Sequence, residues 1–448
     1  MISSVFILLA LGGGLAGAQT SGSFNVLTYN VAGLPDILSS GNPEVNTPLI
    51  STRLGPYSVV NVQEDFNYHA ALYRDDRHPH RSATSGGVPF GDGLNTLSNY
   101  PFMEEQRVKW ERCNLNSGDC LTPKGFHFLR VRVAEGVWFD LYNLHTDAGS
   151  DSADQTARAS NIQQVLTFAR TWSAGMPIVV MGDTNSRYTT ASDGQALRNF
   201  VSSLGLVDPW VKIIRGGNPP PGGSGALSCP KPFPSGTSQA TIDACEVVDK
   251  IFVRGSPAVT FTATAYANDN NKFVDSANLP LSDHYPHSSV IAWSLSSSTR
   301  LGDPVGGPHG NPFNGIATLI EGKSVPKLTT ITLRGGSRMD GVSYAVSYTG
   351  GGSTTTTHGG SGGTASTLTL NPGERVTQVT MCEGQKDSRT RVFSVSLLTS
   401  TGRTLAAGTT TGSCTTSRAP TTAGSGGAWG LVSGEELDRL GAVWGAVY

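Results

Sequence analysis

Between Ser294 and Asp303 the chain changes texture, and no single fold class accommodates both sides of the change. Upstream, strand-like runs alternate with helical periodicity. Ile162, Val165, Leu166 and Ala169 share one face of residues 153–172, behind Asp151 and Ser152 as capping residues. Leu197–Leu204 predicts a further helix. Downstream, Gly, Thr and Ser separate short alternating strands with almost no helical pattern. At 448 residues the chain also exceeds what one core usually covers. The reading is two domains, 19–293 mixed α and β and 304–448 all-β, with a linker at 294–303.

The upstream strands share one peculiarity: their apolar runs end in, or carry, residues suited to proton and metal chemistry. Ile178–Met181 reads as a buried strand, Gly182 allows close backbone approach, and Asp183 and Asn185 follow two residues apart. Phe24–Asn30 ends in Asn30, Ser58–Glu64 in Glu64, and Val137–His145 in His145. Val247–Val253 carries Asp249 inside an apolar run, and Asp283 and His284 precede the last strand, Ser289–Trp293. A buried strand does not keep an uncompensated carboxylate without cause.

Carboxylates, asparagines and histidines gathered at strand ends suit metal-assisted phosphoester hydrolysis. Glu64, with Asn30 and Asp283 beside it, is the expected ligand set for a hard divalent cation, Mg²⁺ foremost. Asp183 is expected to orient or deprotonate water, with Asn185 and His145 holding the phosphoryl oxygens. His284, paired with Asp249, is biased toward its charged form and gives or takes a proton. Which of Asp183 and His284 is the base stays open at this level.

The expected address is extracellular. Val5–Ala16 is a short apolar run and Ala16-Gly17-Ala18 a small-x-small cleavage signal, so residues 1–18 read as a signal peptide. No segment is long enough to span a bilayer. Six cysteines, Cys113, Cys120, Cys229, Cys245, Cys382 and Cys414, lack metal-type spacing and read as disulfides, with short separations favouring sequential pairs. A net charge of −2 gives no basic field for a nucleic-acid backbone, which makes that partner the least expected.

The series Tyr29-Asn30-Val31, Gln63-Glu64, Asn143-Leu144-His145, Gly182-Asp183-Thr184-Asn185, Val248–Phe252 and Ser282–Pro286 resembles the endonuclease/exonuclease/phosphatase superfamily, in its order, over residues 22–293. The resemblance implies a DNase-I-like fold, an α/β four-layer sandwich of two packed sheets with the site at their shared rim. Asp92–Pro101, and Arg112-Cys113 through Asp119 followed by Lys124-Gly125-Phe126, resemble secreted neutral sphingomyelinases, although no exposed aromatic hairpin suited to membrane insertion is read. The implied substrate is a phosphoester, a phospholipid head group first. An inositol- or sugar-phosphate phosphatase and a secreted nuclease are the alternatives.

In the second domain Gly336–Val342 echoes Gly434–Leu440, both Gly-x-x-x-Asp before an apolar strand, and glycine turns recur between them. Three related sheets about a pseudo-threefold axis are expected. Gly306-Gly307, the run His358–Gly363 and the closing Gly434-x-x-x-Asp438 resemble jacalin-related lectins, implying a β-prism and a shallow sugar site. In that site Asp438 would accept from sugar hydroxyls, while backbone amides of Gly307, Glu435 and Glu436 around Gly434 donate. Trp429 reads as core more readily than as a stacking platform, and Gly336–Asp340 is a possible second site. A different class of function, a sugar-binding protein with a degenerate hydrolase domain, is weighed against the enzyme; the complete polar set favours the enzyme.

Overall fold

The structure is a computed structural model describing residues 19–446 apart from 36–38, 40, 87–90, 116–118, 321–322, 325 and 421–422. The expected signal peptide, 1–18, lies outside the described residues. In chain order the first domain contains β1 (Ser21–Asn30), α1 (Pro43–Ser51), β2 (Val59–Gln63), α2 (His69–Arg74), β3 (His80–Arg81) and β4 (Asn95–Ser98). There follow β5 (Phe102–Lys109), β6 (Gly125–Ala134), β7 (Val137–His145), α3 (Ser152–Trp172) and β8 (Ile178–Asp183). The set closes with α4 (Ala191–Leu204), α5 (Gln239–Ala244), β9 (Asp249–Arg254), β10 (Val259–Asn268) and β11 (His287–Leu295).

One sheet has the order β10-β11-β1-β2-β4-β3 and the other β5-β6-β7-β8-β9. Their apolar faces meet through Phe24, Val26, Leu129, Phe139, Val179, Met181 and Ile291. Helices α3 and α4 cover the outer face of one sheet with Ile162, Val165, Leu166 and Leu197, and α1 covers the other with Ile50. This is the expected four-layer sandwich. The cap of α3 forms as a box, with Asp151 and Asp154 satisfying each other's backbone amides.

The second domain is a β-prism. Its three sheets are built on Pro326–Thr369, on Val376–Arg418, and on the two ends of the domain, where Thr299–Leu301, Val305–Gly306 and Asn311–Asn314 join Ala423–Ser433 and Glu436–Ala446. Residues 294–303 therefore hold the end of β11 and a strand paired with Val443–Gly445.

The domains share a core. Leu301, Ile316, Trp429 and Val443 of the prism pack with Val137, Trp138 and Met176 of the sandwich, and Trp138 meets Trp429 edge-on at 5.9 Å. Trp429 is core and donates to Gly302 O. Across the same seam runs a buried chain of charges: Arg439 to Glu104 at 2.8 Å, Glu104 to Arg130 at 2.6 Å, and Arg130 to Asp140 at 2.7 Å. All three disulfides pair sequentially, Cys113–Cys120, Cys229–Cys245 and Cys382–Cys414.

Candidate active site

Parallel β1, β2, β7 and β8 all finish at one rim, which is why their terminal residues converge. Leu144 pairs with Gly182, and a Cβ at Gly182 would stand 2.1 Å from Leu144 O, so only glycine lets the two strands close there. Asp249 departs from the expected place inside a strand. It opens β9, and because β9 runs antiparallel to β8, that start lies directly opposite Asp183 at the rim. Glu64 and Asn185 both hold left-handed backbones, with φ of +57° and +45°, strain that is common at working sites.

The side chains form one network. Asn30 Nδ2 donates to Glu64 Oε1 at 3.0 Å and to Asp183 Oδ2 at 3.1 Å. Asp183 Oδ1 accepts from Asn185 N at 2.8 Å, and Asn185 Nδ2 donates to Thr146 O. His284 stands between two carboxylates, its Nδ1 3.0 Å from Asp249 Oδ2 and its Nε2 3.6 Å from Asp183 Oδ2. His145 Nε2 lies 3.4 Å from Asp183 and 3.9 Å from Glu64. The structure thus brings Asn30, Glu64, His145, Asp183, Asn185, Asp249 and His284 together; Asp283 is exposed at the mouth, within electrostatic reach of Glu64.

Burial raises the Glu64 carboxyl above its usual range against the pull of Lys124 and Asn30, and it raises Asp183 against His284. Burial alone would lower His284, but Asp249 and Asp183 outweigh it and hold the imidazole well above its ordinary value. His145 is driven the other way by burial and by Lys124, so it is neutral. The sign for His284 gives a prediction. Its raised value contributes stability that is fully present below the unfolded value near 6.5 and is lost as pH rises through the folded one. In EDTA, the stability gap between wild type and His284→Ala should shrink from pH 6 toward alkaline pH; a gap that widens would contradict this assignment.

Lys124 belongs to the site and was not among the expected residues. Its ammonium donates to His145 Nε2 at 3.1 Å and ion-pairs with Asp119, which also accepts from Ala148 N. Asp119 stands beside the Cys113–Cys120 disulfide, so that staple fixes the anchor that aims the lysine. The sequence signal was a lysine between the cysteine loop and the start of β6. Its consequence is that the cation nearest His145 is a lysine, and His145 Nε2 receives a proton donor there instead of offering one.

The sugar-site residues of the second domain are placed differently from the expectation. Asp438 is buried and its Oδ1 meets Arg391 Nη1 at 2.5 Å. Arg391 Nε also donates to Glu436 Oε1 at 3.0 Å, and Arg338 holds the other Glu436 oxygen. The Gly307 amide is taken by Asp438 O at 2.8 Å. Gly434 and Glu435 are exposed on the turn. A guanidinium from a neighbouring strand thus pairs with the carboxylate that was expected to accept from sugar hydroxyls. The related Asp340 sits against Gly362 and Gly363, with Arg338 3.9 Å away.

Fold and site together resemble a domain of the endonuclease/exonuclease/phosphatase type joined to a jacalin-like domain. Residues 43–211 match the model of Endonuclease/Exonuclease/phosphatase family 2, and residues 302–443 match that of the Jacalin-like lectin domain. The sphingomyelinase of Mycobacterium bovis is 39% identical over 275 residues, 59% of this chain and 52% of its own length. The chain thus spans about half the length of the curated relatives it matches. Among solved structures, sphingomyelinase C from Streptomyces griseocarneus aligns with 61% of this chain and 99% of its own at 20% identity and a TM-score of 0.41. A mannose-binding jacalin-related lectin from Ananas comosus aligns with 34% of this chain and 100% of its own at 19% identity and a TM-score of 0.30.

Proposed function

We propose that the chain is a secreted, divalent-cation-dependent phosphodiesterase of the sphingomyelinase C type, carrying a carbohydrate-binding second domain. The observation that carries the reading is the single network of hydrogen bonds and ion pairs from Glu64 through Asn30 and Asp183 to His284 and Asp249. Secretion is supported by the apolar start of the sequence and by six paired cysteines. Among the described residues no helix is long and apolar enough to cross a membrane.

The donor chemistry fits a hard divalent cation. Glu64 and Asp283 offer oxygen atoms at the mouth, with Asn30 buried behind them and its Oδ1 turned to Ala32 N, and the carboxylates Glu64, Asp183, Asp249 and Asp283 outnumber the cations Lys124 and His284. Asp183, Asp249 and His284 also have ligand atoms within 4.8 Å of one another, but both His284 nitrogens already face carboxylates, so that trio reads as a proton relay. A bound cation supplies charge stabilisation to the phosphoryl group and the leaving oxygen.

The chain's own residues do the rest. Asp249 keeps the proton on His284 Nδ1, leaving Nε2 to exchange the proton of the attacking water. Asp183 holds that water's approach beside Nε2 and is itself fixed by Asn30 and the Asn185 amide. Lys124 adds positive charge where the phosphoryl oxygens gain negative charge. With His284 as base, kcat/KM should rise with pH through its raised value. EDTA should abolish hydrolysis of sphingomyelin and added Mg²⁺ should restore it; full activity in EDTA would remove the cation from the proposal. A panel of sphingomyelin, inositol phosphates and DNA tests the substrate.

The rim supports a lipid substrate. Leu115 and Leu121, on the cysteine loop that aims Lys124, are 74% and 79% exposed, and Leu279, five residues before His284, is 49% exposed. Large exposed apolar side chains around a site mark a surface for an apolar partner. Leu115→Asp with Leu121→Asp should cut hydrolysis of sphingomyelin in vesicles several-fold and spare a water-soluble phosphocholine ester. Equal losses on both substrates would locate the defect in the site and not in docking.

A further inference from the structure

Where the two domains meet on the far side from the catalytic rim, the seam opens into a cleft of about 320 Å³. One wall belongs to the first domain: Glu105, Gln106 and Trp172. The other is the prism's: His309, Gly310 and Arg389. The cleft follows from a local irregularity. Glu104 has a left-handed φ of +59° and sits in a break of register between Met103 and Gln106. The bulge turns Glu104 inward onto Arg439 and Arg130, and leaves Glu105 and Gln106 facing outward. Because the floor is a buried ion pair and the neighbouring seam is shared core, the walls are fixed in relation to each other.

The volume is at the small end of ligand sites, which run from roughly 300 to 1,000 Å³. Its lining pairs a half-buried indole with an amide, a carboxylate, an imidazole and a guanidinium. One Glu105 oxygen is 2.9 Å from His127 Nε2, and the side chain keeps 35% of its surface exposed. Phe168 stacks on one face of the indole; the rest of the ring, beside several donors and acceptors, suits a sugar ring, whose C–H face stacks while its hydroxyls are paired. Gly310 ties the cleft to the Asp438 loop: a Cβ there would stand 2.7 Å from Asp438 Oδ2. On the loop behind, Arg391 pairs with Asp438 and Glu436, and the cleft in front is open.

We infer that the carbohydrate site of this chain is this composite cleft, with Trp172 and Gln106 of the hydrolase domain as its recognition residues, and that binding there does not use the Asp438 carboxylate. The inference rests on the reading of the second domain as carbohydrate-binding. The test uses the full chain with methyl α-D-mannopyranoside and methyl β-D-galactopyranoside, read by saturation-transfer NMR and titration. One glycoside should bind wild type, and Gln106→Ala and Trp172→Ala should each weaken it about tenfold, the size of a lost hydrogen bond and of a lost aromatic contact. Asp438→Asn and Asp340→Asn should leave it unchanged. Trp172 also stacks on Phe168, so Trp172→Phe and thermal melting separate lost recognition from lost packing. Binding that survives Gln106→Ala and Trp172→Phe but fails in Asp438→Asn or Asp340→Asn would overturn the cleft. So would wild type binding neither sugar. Hydrolysis of sphingomyelin by wild type decides the phosphodiesterase reading separately.

Discussion

His284→Ala is expected to reduce phosphodiester turnover by roughly 10²–10⁴-fold, the usual worth of a positioned acid–base group, with the fold intact. The reason is geometric. Nδ1 is held by Asp249 at 3.0 Å, so only Nε2 can exchange a proton, and it points toward Asp183. Asp249→Asn removes the charge that holds the imidazole well above its ordinary value, and should move the pH dependence of kcat/KM toward acid as well as lower its height. A merely structural role for Asp249 would lower activity without moving the profile. The measurement is kcat/KM against pH for wild type and both variants in excess Mg²⁺. Turnover by His284→Ala within a few-fold of wild type would sink the assignment.

Glu104→Gln is expected to destabilise the molecule by about 3–5 kcal/mol, the cost of breaking a buried ion pair from one side. Glu104 is shared by Arg439 of the prism and Arg130 of the sandwich, and only Arg130 has a second carboxylate, Asp140. The variant strands a buried guanidinium on Arg439. With Trp138 against Trp429 in the same seam, urea unfolding of wild type should show one transition followed equally by both domains. Two resolved transitions, with the first insensitive to Glu104→Gln, would show that the seam contributes little.

Most strands of the sandwich were legible because burial on both faces leaves continuous apolar runs, and Val137–His145 came out with its bounds intact. The convergence of Glu64, Asp183 and His284 was legible through order along the chain, since parallel strands finish at one rim. Asp249 was misplaced because a run of apolar residues does not show where pairing begins; the neighbouring strand decides that. Lys124 escaped because its role depends on Asp119 and a disulfide loop that aim a flexible side chain. Arg391 escaped for a related reason. Nothing in the Gly434–Asp438 motif shows that a guanidinium from another strand will occupy it. Contacts between a motif and a distant side chain are tertiary facts, and so was the seam.

Strand β7 begins beside Trp138 at the seam and ends at His145 on the rim. Seven steps of extended chain separate the two, roughly 23 Å at 3.3 Å each. The prism is therefore mounted behind the sandwich, like a handle opposite a blade. If it grips a glycan while the mouth works on a head group, the two ligands are approached from opposite sides. Such a molecule is shaped to span a gap between one surface and another, and a glycan lying flat on the bilayer being cut is the geometry it serves least well.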